Sequence, residues 1–115
     1  MDIAANVSTN LRKGVLEYCV LALIGNGEMY GLDIAGKLRG HGLLTSEGTL
    51  YPLLARLRRS GLVDSSWRES GQGAPRKYYS LTPAGQDALA GFVDAWDVFS
   101  HSVSDILKPV GGQPS

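Results

Sequence analysis

The chain has 115 residues, 43% of them hydrophobic and 19% charged, with no net charge and a single cysteine. That is the size and balance of one globular domain with its own core, which excludes a wholly disordered chain. Lone Cys19 excludes an intramolecular disulfide, and with the isolated His41 and His101 it leaves no zinc-ligand spacing.

Residues 1–10 are small and polar and read as a flexible N-terminal arm. Lys13 to Ile24 is almost continuously apolar and stops at Gly25-Asn26-Gly27, so it reads as a buried helix. The run is shorter than the ~20 residues of a membrane span, and with Glu17 inside it lies too late for a signal peptide. No membrane partner is expected, and the cytoplasm is the default compartment. Cys19, inside the run, reads as a small buried core residue.

A second helix is expected from about Tyr30 to Arg39, where Leu32, Ala35 and Leu38 recur at helical spacing before Gly40-His41-Gly42. Ser46 or Thr49 then offers an N-cap for a third helix. Its Leu50, Leu53, Leu54 and Leu57 follow the i, i+3, i+4, i+7 stripe of one buried face. Pro52 favours a start near Thr49, because proline is tolerated in a first turn; with Ser46 as the cap it forfeits one backbone bond. Gly61 closes the helix.

Beyond Gly61 the period changes. Leu62 to Arg68 and Lys77 to Leu81 read as two strands around the turn Ser70-Gly71-Gln72-Gly73-Ala74-Pro75, with Trp67 as core packing under the hairpin. Thr82-Pro83, a cap followed by proline in the first turn, starts a last helix that runs to about Leu107, where Pro109 stops it. Residues 109–115 read as a flexible tail.

Three helices, a hairpin and a long helix describe a mainly α chain with a small β-hairpin wing. The reading is a winged helix-turn-helix over residues 11–82 and a C-terminal dimerisation helix over 83–108. The charge is partitioned to match. Between Lys37 and Lys77 eight cations face three carboxylates, whereas two face four before it and one faces four after it. Local charge of this kind is what meets a phosphate backbone.

With its leucine stripe inward, the third helix leaves Glu47, Gly48, Tyr51, Ala55, Arg56, Arg58 and Arg59 on other faces. Its N-terminal residues are placed to approach base edges, small Gly48 and Ala55 permit close approach, and the nearby cations suit phosphates. An amphipathic surface helix has the same pattern. The hairpin adds Gln72, Arg76 and Lys77 at or beside a Gly-rich tip, as a wing reaching a backbone or minor groove would.

Met29-Tyr30-Gly31, Gly48-Thr49-Leu50-Tyr51-Pro52-Leu53-Leu54, Leu57, Gly61-Leu62-Val63 and the run Arg76 to Gly85 occur in order and at the spacing of one family. Over about Leu11 to Ala90 the chain resembles the short form of the PadR-like transcriptional regulators. The resemblance implies a homodimeric winged helix-turn-helix repressor on a palindromic operator, often released by a small molecule. Ser46, Thr49, Tyr51 and Arg56 match the family's recognition-helix positions, and Arg76 and Lys77 its wing. With Lys37 and Gln72 these are the residues expected at DNA. Arg58-Arg59 depart from a pattern that is often acidic there, either adding phosphate affinity or only inverting a surface charge.

Leu89, Phe92, Trp96, Phe99, Val103 and Ile106 repeat at alternating intervals of three and four, a heptad seam that asks for a partner helix. Phe92, Trp96 and Phe99 read either as dimer-core aromatics or as the walls of a cavity for a planar apolar inducer. Some short-form relatives are similar, with a tryptophan of the last helix lining a pore at the dimer interface. No phosphate loop, dinucleotide fingerprint or nucleophile elbow is present, so neither an enzyme nor a cofactor is expected. Two other readings stay open: a winged-helix protein-interaction module, and a ligand sensor whose DNA role is secondary.

Overall fold

A computed structural model describes residues 3–44, 46–69, 71 and 73–108. Its elements are α1 (Ile3–Gly25), β1 (Met29–Tyr30), α2 (Gly31–Gly40), α3 (Glu47–Arg59), β2 (Val63–Arg68), β3 (Arg76–Leu81) and α4 (Pro83–Leu107). The helices and the hairpin expected from periodicity are all present. The expected tail at 109–115 lies outside the described residues.

Leu16, Val20 and Ile24 recur every four residues on α1, joined by Leu21, and bury one stripe against Ile34, Ala35 and Leu38 of α2. The leucine stripe of α3 completes this three-helix core: Leu50, Leu53, Leu54 and Leu57 are all buried. Val63 of β2 and Tyr79 of β3 close it from the sheet side. Cys19 packs against this cluster but is only half-buried, and desolvation pushes its thiol pKa up.

The sheet is antiparallel, in the order β1-β3-β2, with Tyr30 opposite Tyr78, Trp67 opposite Lys77 and Arg68 opposite Arg76. Two residues of β1 add a third strand to the hairpin, beyond what the sequence pattern showed. Alternation puts Val63, Tyr79 and Leu81 on the core face, and Tyr30, Tyr78, Arg68 and Arg76 on the outer one.

Two boundaries and one side chain differ from the sequence expectation. The first helix begins at Ile3 rather than near Lys13, so most of the stretch read as an arm falls within α1. Of the two caps the sequence offered for α3, the structure has Ser46, in extended backbone, not the Thr49 that Pro52 favoured, which places Pro52 inside the helix rather than in its first turn. Pro52 has no N–H for the Gly48 carbonyl, and Gly48 lies on an exposed face where water satisfies that group at little cost. Finally, Trp67 is not core packing: it is 67% exposed, because its end of β2 runs past the edge of the helical core.

The step from hairpin to α4 is the tightest junction. The Thr82 hydroxyl accepts a bond from the Gly85 N–H at 3.0 Å and donates to the Gly61 carbonyl at 2.7 Å. Gly61 has a positive φ of 78°, which lets the chain leave α3 and turn directly into β2. Gly85 is buried so closely that a Cβ there would lie 2.1 Å from the Leu62 carbonyl oxygen.

Gly85→Ala is therefore expected to destabilise the fold by at least about 1–3 kcal/mol, the range for overpacking where backbone must shift. Thr82→Ala, which removes a cap and a second hydrogen bond, should cost about 1–2 kcal/mol. Urea unfolding followed by circular dichroism checks both, and wild-type midpoints would contradict this account of the junction.

Candidate nucleic-acid interface

The core stripe of α3 fixes what the helix presents outward. Opposite the leucines run Gly48, Pro52, Ala55 and Arg59, three small side chains and one cation. Tyr51 and Arg58 flank this strip on the wing side, Thr49 and Arg56 on the α1 side. A strip this flat lets the helix backbone approach a surface closely, with hydrogen-bonding groups along its margins.

The sequence-predicted residues divide between these margins. Ser46 caps α3 through its backbone; its Oγ is 3.5 Å from the Thr49 Oγ1, and both residues are exposed. Tyr51 is 41% exposed and lies over Gly31, where a Cβ would meet its Cε1 at 2.7 Å. Arg56 turns toward α1 and pairs with Glu17 at 3.8 Å. Lys37 is exposed in the last turn of α2, and Arg39 beside it bridges to Glu47 at the start of α3 at 3.3 Å. Gln72 lies outside the described residues.

Arg76 and Lys77 are adjacent in sequence but serve opposite faces of the hairpin. The Arg76 guanidinium stands 4.6 Å from the centre of the Tyr30 ring, and Arg68 stands 4.9 Å from that of Tyr78 on the same outer face. The two tyrosine rings are 5.8 Å apart, and Glu28 pairs with Arg68. The Glu28 carboxylate raises the pKa of the Arg68 guanidinium further above its ordinary value. Stacking holds each guanidinium by its face and leaves the N–H groups of its edge able to hydrogen-bond, as Arg68 does to Glu28. Lys77, on the other face, lies 5.6 Å from the Trp67 ring centre. Sequence reasoning missed Tyr30 and Trp67 as parts of the wing: the first because its strand has only two residues, the second because a tryptophan in a strand ordinarily faces the core.

On the far side of the molecule Phe92, Trp96 and Phe99 do come together. Phe92 stacks on Tyr18 of α1 with centroids 4.2 Å apart and planes 6° from parallel; Trp96 follows at 5.9 Å and Phe99 at 6.4 Å. They line an apolar groove between α1 and α4 with Leu11, Val15 and Val103. The six seam residues differ in environment. Leu89 packs against the core and Phe92 is half-buried on Tyr18, whereas Trp96, Phe99, Val103 and Ile106 face solvent. His101 is exposed and bonded to the Asp97 carbonyl one turn earlier.

Among the described residues no cluster of three or more His, Cys, Asp or Glu side chains converges, and no helix is long and apolar enough to cross a membrane.

Residues 20–91 match the model of the transcriptional regulator PadR-like family. The chain belongs to that family. A PadR-like regulator of Bacillus cereus has the same fold with a TM-score of 0.78 and 38% identity, covering 85% of this chain and 96% of its own. A transcriptional regulator of Mycobacterium tuberculosis is 40% identical over 70 residues, which are 61% of this chain and 64% of that protein. Bacillus subtilis PadR, a negative transcriptional regulator, is 27% identical over 94 residues, and this chain spans 52% of its length. Its crystal structure with operator DNA matches at a TM-score of 0.64 with 28% identity, over 69% of this chain and 46% of that one. The PadR-like chain described here is thus a transcriptional regulator with the family's mainly α fold, small antiparallel sheet and long last helix.

The outer-face stack makes a testable claim about the wing. Tyr30→Ala should loosen Arg76 and Tyr78 while costing only about 1 kcal/mol of global stability, the scale of aromatic and cation–π contacts. Amide exchange of residues 76–78 should then accelerate against an unchanged helical core; equal protection in the variant would remove the stack as a wing support.

Proposed function

We propose that this PadR-like regulator is a homodimeric, sequence-specific DNA-binding repressor whose hold on a palindromic operator is relieved by a planar apolar ligand. The small outward strip of α3, bordered by hydrogen-bonding and cationic side chains, is the observation that carries the DNA part. α3 enters the major groove with Ser46, Thr49 and Tyr51 nearest the bases and phosphates, while Arg76 and Lys77 on the wing reach the neighbouring backbone or minor groove. Lys37 and Arg56 lie at the margins as phosphate contacts. In the operator-bound relative the same fold meets DNA, and that relative acts negatively, which supports repression here.

The dimer rests on α4. Trp96, Phe99, Val103 and Ile106 leave an apolar strip in water that the small head does not cover, and a second α4 offers the matching heptad surface. Two-fold pairing would set half-sites about 34 Å apart, one helical turn. The stacked Phe92, Trp96 and Phe99 favour a flat apolar ligand at this interface, which would alter how the two α4 helices pair. The cytoplasm is the compartment in which such a regulator would meet its operator.

Three measurements test this reading. Arg76→Ala and Lys77→Ala should each weaken binding on all duplexes and flatten the plot of log affinity against log salt by about 0.9 per phosphate lost. Unchanged slopes would remove the wing from DNA contact. Val103→Asp should yield a monomer in sedimentation, because an unpaired carboxylate would be buried in the seam; a dimer of undiminished affinity would place the interface elsewhere. Planar aromatic compounds should quench tryptophan emission in the wild type and not in Trp96→Ala, and equal binding by the variant would rule Trp96 out of the ligand site.

A further inference from the structure

The chain's cations fall into two classes. Arg39, Arg56 and Arg68 are each paired with a carboxylate, from Glu47, Glu17 and Glu28. Arg12, Lys13, Lys37, Arg58, Arg59, Arg76, Lys77 and Lys108 form no ion pair among the described residues, and four of them, Arg58, Arg59, Lys77 and Arg76 (the last beside Tyr30, which also lines it), meet in one open groove between α3 and the wing. No carboxylate lines that groove among the described residues, and the exposed Trp67 forms part of its wall.

We infer that this groove holds one phosphodiester strand of the duplex, with Arg58 and Arg59 on its phosphates and Trp67 packed against a sugar. The inference rests on the DNA-binding reading and deepens it. If α3 occupies the major groove and the wing the adjacent minor groove, the strand dividing those grooves must pass between α3 and the wing. The space there is lined by four cations with no carboxylate partner, the arrangement that gains most from displacing counterions. Ala55 on the helix wall is small, so a strand can lie close to α3. An indole with Lys77 beside it offers an apolar face for a sugar and a cation for the next phosphate. Arg58-Arg59 therefore add phosphate affinity rather than only inverting a surface charge. Their contacts are independent of base sequence, because Arg58 flanks the strip that faces the bases and Arg59 stands at its C-terminal end, away from the N-terminal residues of α3 nearest the bases.

The test uses the full chain and a generic duplex of a few helical turns, titrated at several salt concentrations. Arg58→Gln/Arg59→Gln should lower the salt slope by about 1.8, two phosphates at about 0.9 each, and reduce affinity at least about tenfold. Lys108→Gln, a charge loss remote from the groove, should keep the wild-type slope. Because both arginines are exposed, the double variant should melt with the wild type. A wild-type slope in the folded double variant overturns the groove. For Trp67, protein labelled with 5-fluorotryptophan gives two fluorine resonances, assigned with Trp67→Phe. Duplex at saturation should shift the Trp67 resonance and shield it from solvent, and an unmoved resonance overturns the sugar contact. If the wild type itself shows no salt-dependent binding, the DNA-binding reading fails and the groove with it, an outcome distinct from failure of the groove alone.

Discussion

The rest of the structure depends on how Thr82 and Gly85 join three elements at one point. The Thr82 hydroxyl is bonded to the end of α3 through Gly61 and to the start of α4 through Gly85. Its backbone N–H reaches the Leu62 carbonyl at 3.2 Å, just before β2. Gly85 has no side chain, so α4 can lie against the Leu62 backbone instead of standing off by the width of a methyl group. The helix offered outward, the wing and the long last helix thus share one rigid corner. Their mutual orientation is set there by short polar contacts, more than by the larger but less directional apolar core.

On that frame, electrostatics decides what each surface is suited to. Exposed ion pairs such as Arg39–Glu47 and Arg56–Glu17 contribute little to stability, since exposed pairs are worth about 0–1 kcal/mol. Their larger effect is to neutralise Arg39 and Arg56 at the α2 and α1 margins of α3, where Lys37, Arg12 and Lys13 stay unpaired. The wing side is left positive, and α4 carries four aspartates and no lysine or arginine between Pro83 and Leu107. In the proposed complex the phosphate backbone is drawn to the wing side of α3, while α4 is repelled from it and left free to pair. A chain with no net charge thereby acquires a direction.

Much of this was legible from residue order. The leucine stripe of α3 and the Thr82-Pro83 cap each specify their structure through local physics, and each appears where expected. The candidate site was legible in its residue types but less so in their directions. Arg56 looked like a free cation, and its pairing with Glu17 depends on how α1 crosses α3, a tertiary fact that no window of sequence contains. Trp67 looked like core because indoles usually are; its exposure depends on where the helical layer ends beneath β2. β1 was invisible because two residues show no alternation, and they become a strand only by pairing with β3, about fifty positions later. The early start of α1 escaped for a different reason: Ile3, Val7 and Leu11 do recur every four residues there, but the small and polar residues between them make the segment read as a loop.

The aromatic ladder on α4 shows how the two ends of the molecule could communicate. Its first rung, Tyr18 against Phe92, belongs to the head, and its later rungs, Trp96 and Phe99, face outward. A partner helix and a flat ligand would therefore compete for, or share, the same ring faces in the proposed dimer. A ligand wedged between the rings cannot move Phe92 without disturbing its stack on α1, because that contact is closely parallel and well packed. The yielding element is then the pairing of one α4 with the other. Each α4 is fixed to its own α3 through Thr82 and Gly85, so a change in that pairing would be carried as a rigid-body change in the separation of the two α3 helices. An operator with fixed half-site spacing is sensitive to such a change, and no rearrangement within either DNA-binding head is required.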